Sequence, residues 1–514
     1  MRFPILCSSF VFALTPDASV FAQNEPPPNP SKITATPDPD ASRITYPRKN
    51  ATPENTFTID TLKMATAQLM SWRQGAGAFG HLHLHASWGV SASLERRYQG
   101  QTISRYMRIM DGVIQIANHS DDPDWRLLAD DIAAAILYLQ TPNGGFYHAS
   151  SEAEPTYTSD QSTTVHQAQP IIALLDYAAW PHANPQRVAQ IKLAIEKWWP
   201  WLHQRWWQRG NAWTRKNNTK RNWFCGVTNQ DISIVAALAR YGQVFGNWEP
   251  WGKYGKTTLN TLIGPDYYFP ETGLFLRGDN ADYYEHSAYY DIILPMLEIT
   301  YAATGDTRLP PIIDRACEYL FETLHTGPDG LTHVARRAKV SRATGKISEW
   351  EQQPYAFNTY PLLILHMRDY LARHPDAIKT AQLQNLEKTL ASYIYSDGTI
   401  PIALGAKSAP VFFIAGHPNY HSLWFFLVRH LGPKNKTLAL NDLPKLPTVM
   451  RTYGDSIWLA DEKLWMLKKN GRRIFAGIKC ESAAIAIGSE EPLAGVNLRT
   501  LNKPQIIETV SEFK

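Results

Sequence analysis

Between residues 277 and 290 the chain carries Arg277, Asp279, Asp282, Tyr283, Tyr284, Glu285, His286, Tyr289 and Tyr290. A helix entry facing water needs one capping Asp or Asn and an acid in its first turn. Four tyrosines, a histidine and an arginine exceed that need. Two readings stay open: aromatics packed on a neighbouring helix beneath a polar cap, or a proton-transfer site facing a groove. In the second, Tyr284, Tyr290 and His286 exchange protons while Arg277 holds an anion. A second cluster runs from Trp223 to Asp231, ahead of the apolar positions Ile232, Ile234, Val235 and Leu238. Thr228 or Asn229 would cap that helix. Asn229, Gln230 and Asp231 at a helix start can equally grip a carboxylate, helped by the uncapped N–H groups. Asp231 with Asp282 or Glu285 is also the kind of carboxylate pair a glycosidase uses, given a separation of about 5–10 Å.

Other chemistry-bearing positions are scattered. His166 follows the run Ser159 to Thr164, and Arg97 follows Arg96, where either arginine could meet an anionic substrate group. His81, His83 and His85 alternate, so an extended backbone puts them on one face, but no carboxylate and histidine set completes a zinc site. Neither metal nor cofactor is expected. The 17 Trp and 24 Tyr are many, and Trp72, Trp88, Trp206, Trp207, Trp213, Trp223, Trp350 and Trp424 sit beside polar clusters. They fit either sugar stacking or filling of a helical core.

The elements that must hold these residues are helical. Apolar residues recur at three-to-four spacing in pairs of windows: 58–72 with 98–118, 124–140 with 162–180, 186–207 with 229–246, 256–263 with 285–303, 309–325 with 354–372, and 376–395 with 418–431. Short and long connections alternate, with turn signals at Pro142-Asn143-Gly144-Gly145 and Gly327-Pro328-Asp329-Gly330. Six such hairpins suit a mainly α chain closed into an (α/α) toroid, its cleft lined by the connections at one end. After Pro444 short β-like runs separated by turns predict a small antiparallel region over 446–514.

At the start, Arg2 precedes an apolar run from Phe3 to Leu14, and Val20-Phe21-Ala22 offers a small-residue cleavage site, the pattern of an export signal over 1–22. That run is too short to span a bilayer. Residues 23–56, rich in Pro, Asn, Ser and Thr, predict a disordered leader, and 57–445 the toroid. The product is expected in the periplasm or outside the cell. A net charge of +4 without a basic stripe argues against nucleic acid. Of the four cysteines Cys7 lies in the export signal, and the remaining Cys225, Cys317 and Cys480 are far apart and odd in number, which argues against a disulfide framework.

The segment Thr228-Asn229-Gln230-Asp231 before a helix, followed some fifty residues on by an arginine, a tyrosine cluster and an Ile-Leu-Pro-Met-Leu helix, resembles alginate-lyase-like polysaccharide lyases with helical toroid folds. The resemblance covers mainly 225–303. It implies β-elimination on a uronate-containing polysaccharide. Asn229 and Arg277 would neutralise the uronate carboxylate, and tyrosine would move protons. Gln230 stands where a histidine would follow the asparagine, so His286 or His166 would supply the imidazole. Gln230, Trp223, His166 and Arg97 are the expected substrate contacts, and an acidic polysaccharide the expected partner. A glycoside hydrolase on the same toroid and a non-catalytic glycan-binding protein are the competing readings.

Overall fold

The structure, a computed structural model, describes residues 47–71, 106–138, 140–146, 164–208, 223–278, 284–341, 343–353, 355–401, 404 and 420–446, with short strands inside 73–96 and 449–488. Twelve helices form six hairpins. Their first members are α1 (Ile59–Ser71), α3 (Asp124–Tyr138), α5 (Pro185–Trp206), α7 (Lys256–Leu262), α9 (Leu309–Glu322) and α11 (Ala377–Ser392). Their partners are α2 (Tyr106–His119), α4 (Thr164–Ala179), α6 (Thr228–Phe245), α8 (Tyr290–Thr304), α10 (Tyr360–Arg373) and α12 (Tyr420–Leu431). The even-numbered helices pack side by side in chain order, and α12 returns onto α2, which closes an inner ring. The odd-numbered helices lie outside it. The fold is an (α/α) toroid.

Side-chain pattern explains which helix goes where. α6 is buried at every position from Thr228 to Ala239, so it must be covered on all sides. α11 buries a single stripe including Leu383, Leu386 and Leu390 and leaves the rest to water. Inner helices lead to outer ones through short links such as 120–123, 305–308 and 374–376, whereas outer helices lead to inner ones through long connections. All six inner helices therefore start on one face, and the long connections build that face.

Strands β1 to β4 (Arg73–Gln74, Ala78–Phe79, Leu82–Leu84, Leu94–Arg96), β5 (Tyr268–Phe269), β6 (Leu274–Phe275), β7 (Tyr284–His286), β8 (Leu324–Thr326), β9 (Thr332–Val334), β10 (Arg337–Val340) and β11 (Ile347–Glu351) lie within the long connections. β12 to β16 (Val449–Tyr453, Ser456–Ala460, Leu464–Lys469, Arg472–Lys479, Ala484–Gly488) form a five-stranded antiparallel sheet in sequential order. β structure is thus less confined to the C-terminal region than the sequence pattern predicts. The helix expected over 285–303 begins at Tyr290. Residues 284–286 pair with β10 instead, since aromatic residues suit a pleated strand.

The expected leader also needs correction at its end. The Arg48 amide bonds the Ser392 carbonyl at 3.1 Å, its guanidinium bonds the Ala391 carbonyl at 3.0 Å, and Ala51 is buried. Thr52 and Asn55 exchange side-chain bonds across the turn Pro53–Thr56. Residues 47–56 are docked on the end of α11. Among the described residues no helix is long and apolar enough to cross a membrane.

Candidate active site

The connection before α6 and the one before α8 are locked together by backbone. The Thr228 amide donates to the Arg277 carbonyl at 2.8 Å, and Val227 bridges Gly278. Gly226 has φ +76°, and a Cβ on Gly278 would collide with the Gly226 carbonyl. Arg277 is thereby brought to the start of α6, where Asn229 lies. The Asn229 side-chain oxygen is buried without a hydrogen-bond partner among the described residues, and so is the Ser287 hydroxyl just before α8. Unmet polar atoms of this kind are rare in folded proteins and ask for an explanation.

Asp231 is absorbed by architecture. It is fully buried, and its two oxygens accept the Cys225 and Gly226 amides at 2.8 Å each, which shapes the turn entering α6. Neither Thr228 nor Asn229 caps that helix: the cap position is Val227. The Gln230 carbonyl oxygen accepts the Cys225 thiol at 3.1 Å.

Beyond Arg277 the chain reaches β7, which pairs antiparallel with β10 so that His286 faces Arg337 and Tyr284 faces Lys339 in register. The Ser287 amide bonds the Arg336 carbonyl at 2.9 Å. This pairing sets Arg336 and Arg337 beside the entry to α8. Glu351 on β11 holds both guanidiniums, meeting Arg336 at 2.8 Å. Burial makes the Arg336 charge costly and depresses its pKa, which Glu351 and Tyr289 counteract electrostatically. Tyr289, half-buried in the 3₁₀ turn Ser287–Tyr289, therefore lies in the field of a partly desolvated guanidinium.

A buried network fixes the connection that carries β10. His333 Nε2 meets the Asp329 carboxylate at 2.9 Å, and its Nδ1 meets the Tyr360 hydroxyl at 3.1 Å. The Tyr393 hydroxyl donates to Asp329 at 2.7 Å, and the Tyr355 ring stacks on His333 with centroids 4.1 Å apart. His333 and Tyr393 hold the Asp329 carboxyl well below its usual range, despite burial.

The floor of this face crosses the ring. Arg108 near the start of α2 donates to the Asp291 carboxylate at 3.1 Å and to its carbonyl at 2.9 Å. α2 and α8 are diametrically opposite in the inner ring, so this ion pair spans the axis.

The expected site residues divide accordingly. Asn229 and Arg277 stand on segments joined by the Thr228 amide, and His166 stands half-buried in the first turn of α4 on the same face. Tyr284 and His286 are placed by backbone register in β7. Tyr290 is a correction. It is fully buried, donates to the Gly273 carbonyl at 3.0 Å and accepts the Phe275 amide at 2.9 Å, pinning the β5–β6 hairpin. Trp223 is also core, as are Trp206 and Trp424, so these do not stack on sugar; Trp207 and Trp350 are half-buried. Arg97, Asp282, the imidazole-bearing His81 and His85, Trp72, Trp88 and Trp213 lie outside the described residues. Arg336 and Arg337 escaped the sequence reading, although Val334-Ala335-Arg336-Arg337-Ala338 puts two bases inside an otherwise strand-like run. Among the described residues no group of His, Cys, Asp and Glu is arranged to hold a metal ion.

No protein-family profile and no curated protein sequence matches the chain. Solved structures do. A sugar epimerase from a ruminal bacterium superposes with a TM-score of 0.50 at 10% identity, covering 72% of this chain and 98% of its own. A D-mannose isomerase gives 0.50 at 11% identity, with 72% and 96% covered. A polysaccharide lyase gives 0.43 at 11% identity, with 65% and 92% covered. At such identities the likeness is one of fold, which the chain shares with the epimerase and the isomerase.

Proposed function

We propose that the protein is an exported polysaccharide lyase that cleaves a uronate-containing chain by β-elimination on the face built by the long connections. The observation that carries this reading is the pairing of β7 with β10, which sets the largely buried Arg336 against the turn Ser287–Tyr289 at the entry to α8. Removing the C5 proton of a uronate is opposed by the adjacent carboxylate, so positive charge and hydrogen bonds on that carboxylate lower the barrier. Arg277 and Asn229 are the groups for this, with Gln230 and His166 alongside. A tyrosine whose phenolate is stabilised by Arg336 takes the C5 proton; Tyr289 is that tyrosine, with Tyr284 on β7 as the second proton-transferring hydroxyl and His286 as the imidazole. The electron pair forms the C4–C5 double bond, the C4–O bond breaks, and the departing oxygen takes a proton.

The test is a digest of acidic and neutral polysaccharides followed by ultraviolet absorbance and reducing-end assay. Elimination yields a conjugated unsaturated uronate that absorbs; Tyr289→Phe should cut its formation by roughly a hundredfold or more while leaving the melting temperature in place. Reducing ends without absorbance would establish a hydrolase, and a changed sugar without cleavage an epimerase or isomerase. The hydrolase alternative has lost Asp231, whose oxygens are both engaged by backbone.

A further inference from the structure

Below the ion pair that crosses the ring lies a cavity of about 430 Å³, to which all six inner helices contribute. It extends to Ala179, Trp180 and Pro181 at the end of α4, and so toward the face of short links, away from the proposed catalytic face. Its size falls within the range of small-molecule sites, about 300–1,000 Å³.

The lining is charged and imbalanced. Three carboxylates each have a base in the cavity: Asp291 with Arg108, Asp176 with Arg240 at 2.9 Å, and Glu298 with His366 at 3.0 Å. Two further carboxylates, Asp111 and Asp369, face only one further guanidinium, that of Arg429. With all five carboxylates ionised, negative charge is in excess by one even with the imidazole protonated. Asp111 on α2 receives one hydrogen bond, from the Gln115 amide at 2.7 Å, and no ion pair within reach among the described residues. Burial makes both Asp176 and Asp111 costly to charge, so Asp176 is pushed up to about 7, with Asp111 adding to the rise, and Asp111 is raised; Arg240 draws both back down. A carboxylate in a cavity without an ion pair, as Asp111 is, is satisfied by a further positive charge placed beside it. The indole of Trp180 is held by its N–H to Asn118 at 2.8 Å, and with Phe425 and Ile114 it gives the cavity aromatic and aliphatic wall. Carboxylates and aromatic faces lining one cavity suit an ammonium on a short apolar stem.

We propose that this cavity is a second binding site, distinct from the catalytic face, for a small organic cation of the primary-amine class, its ammonium seated between Asp111 and Asp176 and its stem against Trp180 and Phe425. A free metal ion fits less well, because apolar surface makes up much of the wall and three of the carboxylates already hold bases.

The test uses the full chain and n-butylammonium chloride as probe, with n-butanol and sodium chloride as controls at matched concentration and ionic strength. Calorimetric titration and thermal unfolding should show binding and stabilisation by n-butylammonium alone. Asp111→Asn keeps the side-chain shape and removes the charge, and should weaken binding about tenfold or more. Asp369→Asn, at the exposed end of the lining, should weaken it less. Circular dichroism of each variant establishes that it is folded, and a Leu365→Met variant, which changes the wall but not the charge, should retain amine binding. Equal binding of n-butanol and n-butylammonium, no binding of either, or unchanged affinity in folded Asp111→Asn would each overturn the proposal. Because polysaccharide cleavage is not read in this experiment, its failure leaves the lyase reading untouched.

Discussion

Replacing Arg108 by Met removes the charge that closes the toroid axis and keeps most of the side-chain volume. In the intact protein the guanidinium reaches both the carboxylate and the carbonyl of Asp291, and the two side chains are only 13% and 11% exposed. The variant strands a buried carboxylate whose remaining cationic neighbour is His366, acting through space. Stranding one partner of a buried pair costs about 3–5 kcal/mol. In a domain this large each kcal/mol shifts the melting temperature by about 2 °C or less, so a fall of at most about 6–10 °C is expected. Burial already raises the Asp291 pKa, and loss of Arg108 raises it further. The destabilisation should therefore shrink as the pH is lowered and the carboxyl takes up a proton. Urea unfolding of wild type, Arg108→Met, Asp291→Leu and the double variant at two pH values measures the coupling directly. The double variant, with both charges replaced by apolar groups, should recover much of the loss. A single variant that loses less than about 1 kcal/mol, or a double variant no better than the worse single, would refute the axis-spanning pair as a structural tie.

Tyr290→Phe should lower stability by about 1–3 kcal/mol, because it leaves the buried Phe275 amide without its acceptor, while turnover per folded molecule stays near wild type. Arg277→Lys keeps the charge but loses the planar fork, and should raise KM or lower kcat on a responsive uronate polymer far more than it changes unfolding. The His366–Glu298 pair predicts a pH window. Glu298 outweighs burial and raises the His366 pKa above its ordinary 6.5, so that stability is complete below that value and is lost as the pH rises through the raised pKa. Glu298 is lowered from 4.5, so its share is complete above that value and lost as the pH falls through the lowered pKa. Thermal scans of His366→Gln should show a flatter alkaline decline than wild type. Gly278→Ala should separate the two connections at Gly226 and reduce cleavage more than stability, a result read by activity per folded molecule alongside the melting temperature.

The helices were legible because their signal is local. A repeating apolar stripe needs only neighbouring residues to exist, and it located both members of each hairpin to within a few positions at most boundaries. Six pairs with alternating short and long links also suited a ring, though an open superhelix of hairpins has the same pattern, and antiparallel partners return every inner helix to the same end. The wealth of polar and aromatic groups at 223–231 and 277–290 marked where chemistry could reside for the same reason: it exceeds what capping and packing require. What the chain order could not supply was direction and company. Consecutive residues on a helical turn point about 100° apart, so within the tyrosine cluster only the packed structure decides that Tyr290 turns into the core toward Gly273 while Tyr289 stays half-buried in the turn that bonds the Arg336 carbonyl. Arg336 is some fifty residues from Tyr289 and joins it only through the register of β7 against β10. Arg108 and Asp291 are 183 positions apart and meet only once the ring has closed. Asp231 looked like a catalytic carboxylate until two backbone amides took its oxygens. Sequence carries the propensity of each residue and the periodicity of its neighbours, whereas pairing between distant segments and the burial that shifts a pKa come into being only when the whole toroid is assembled.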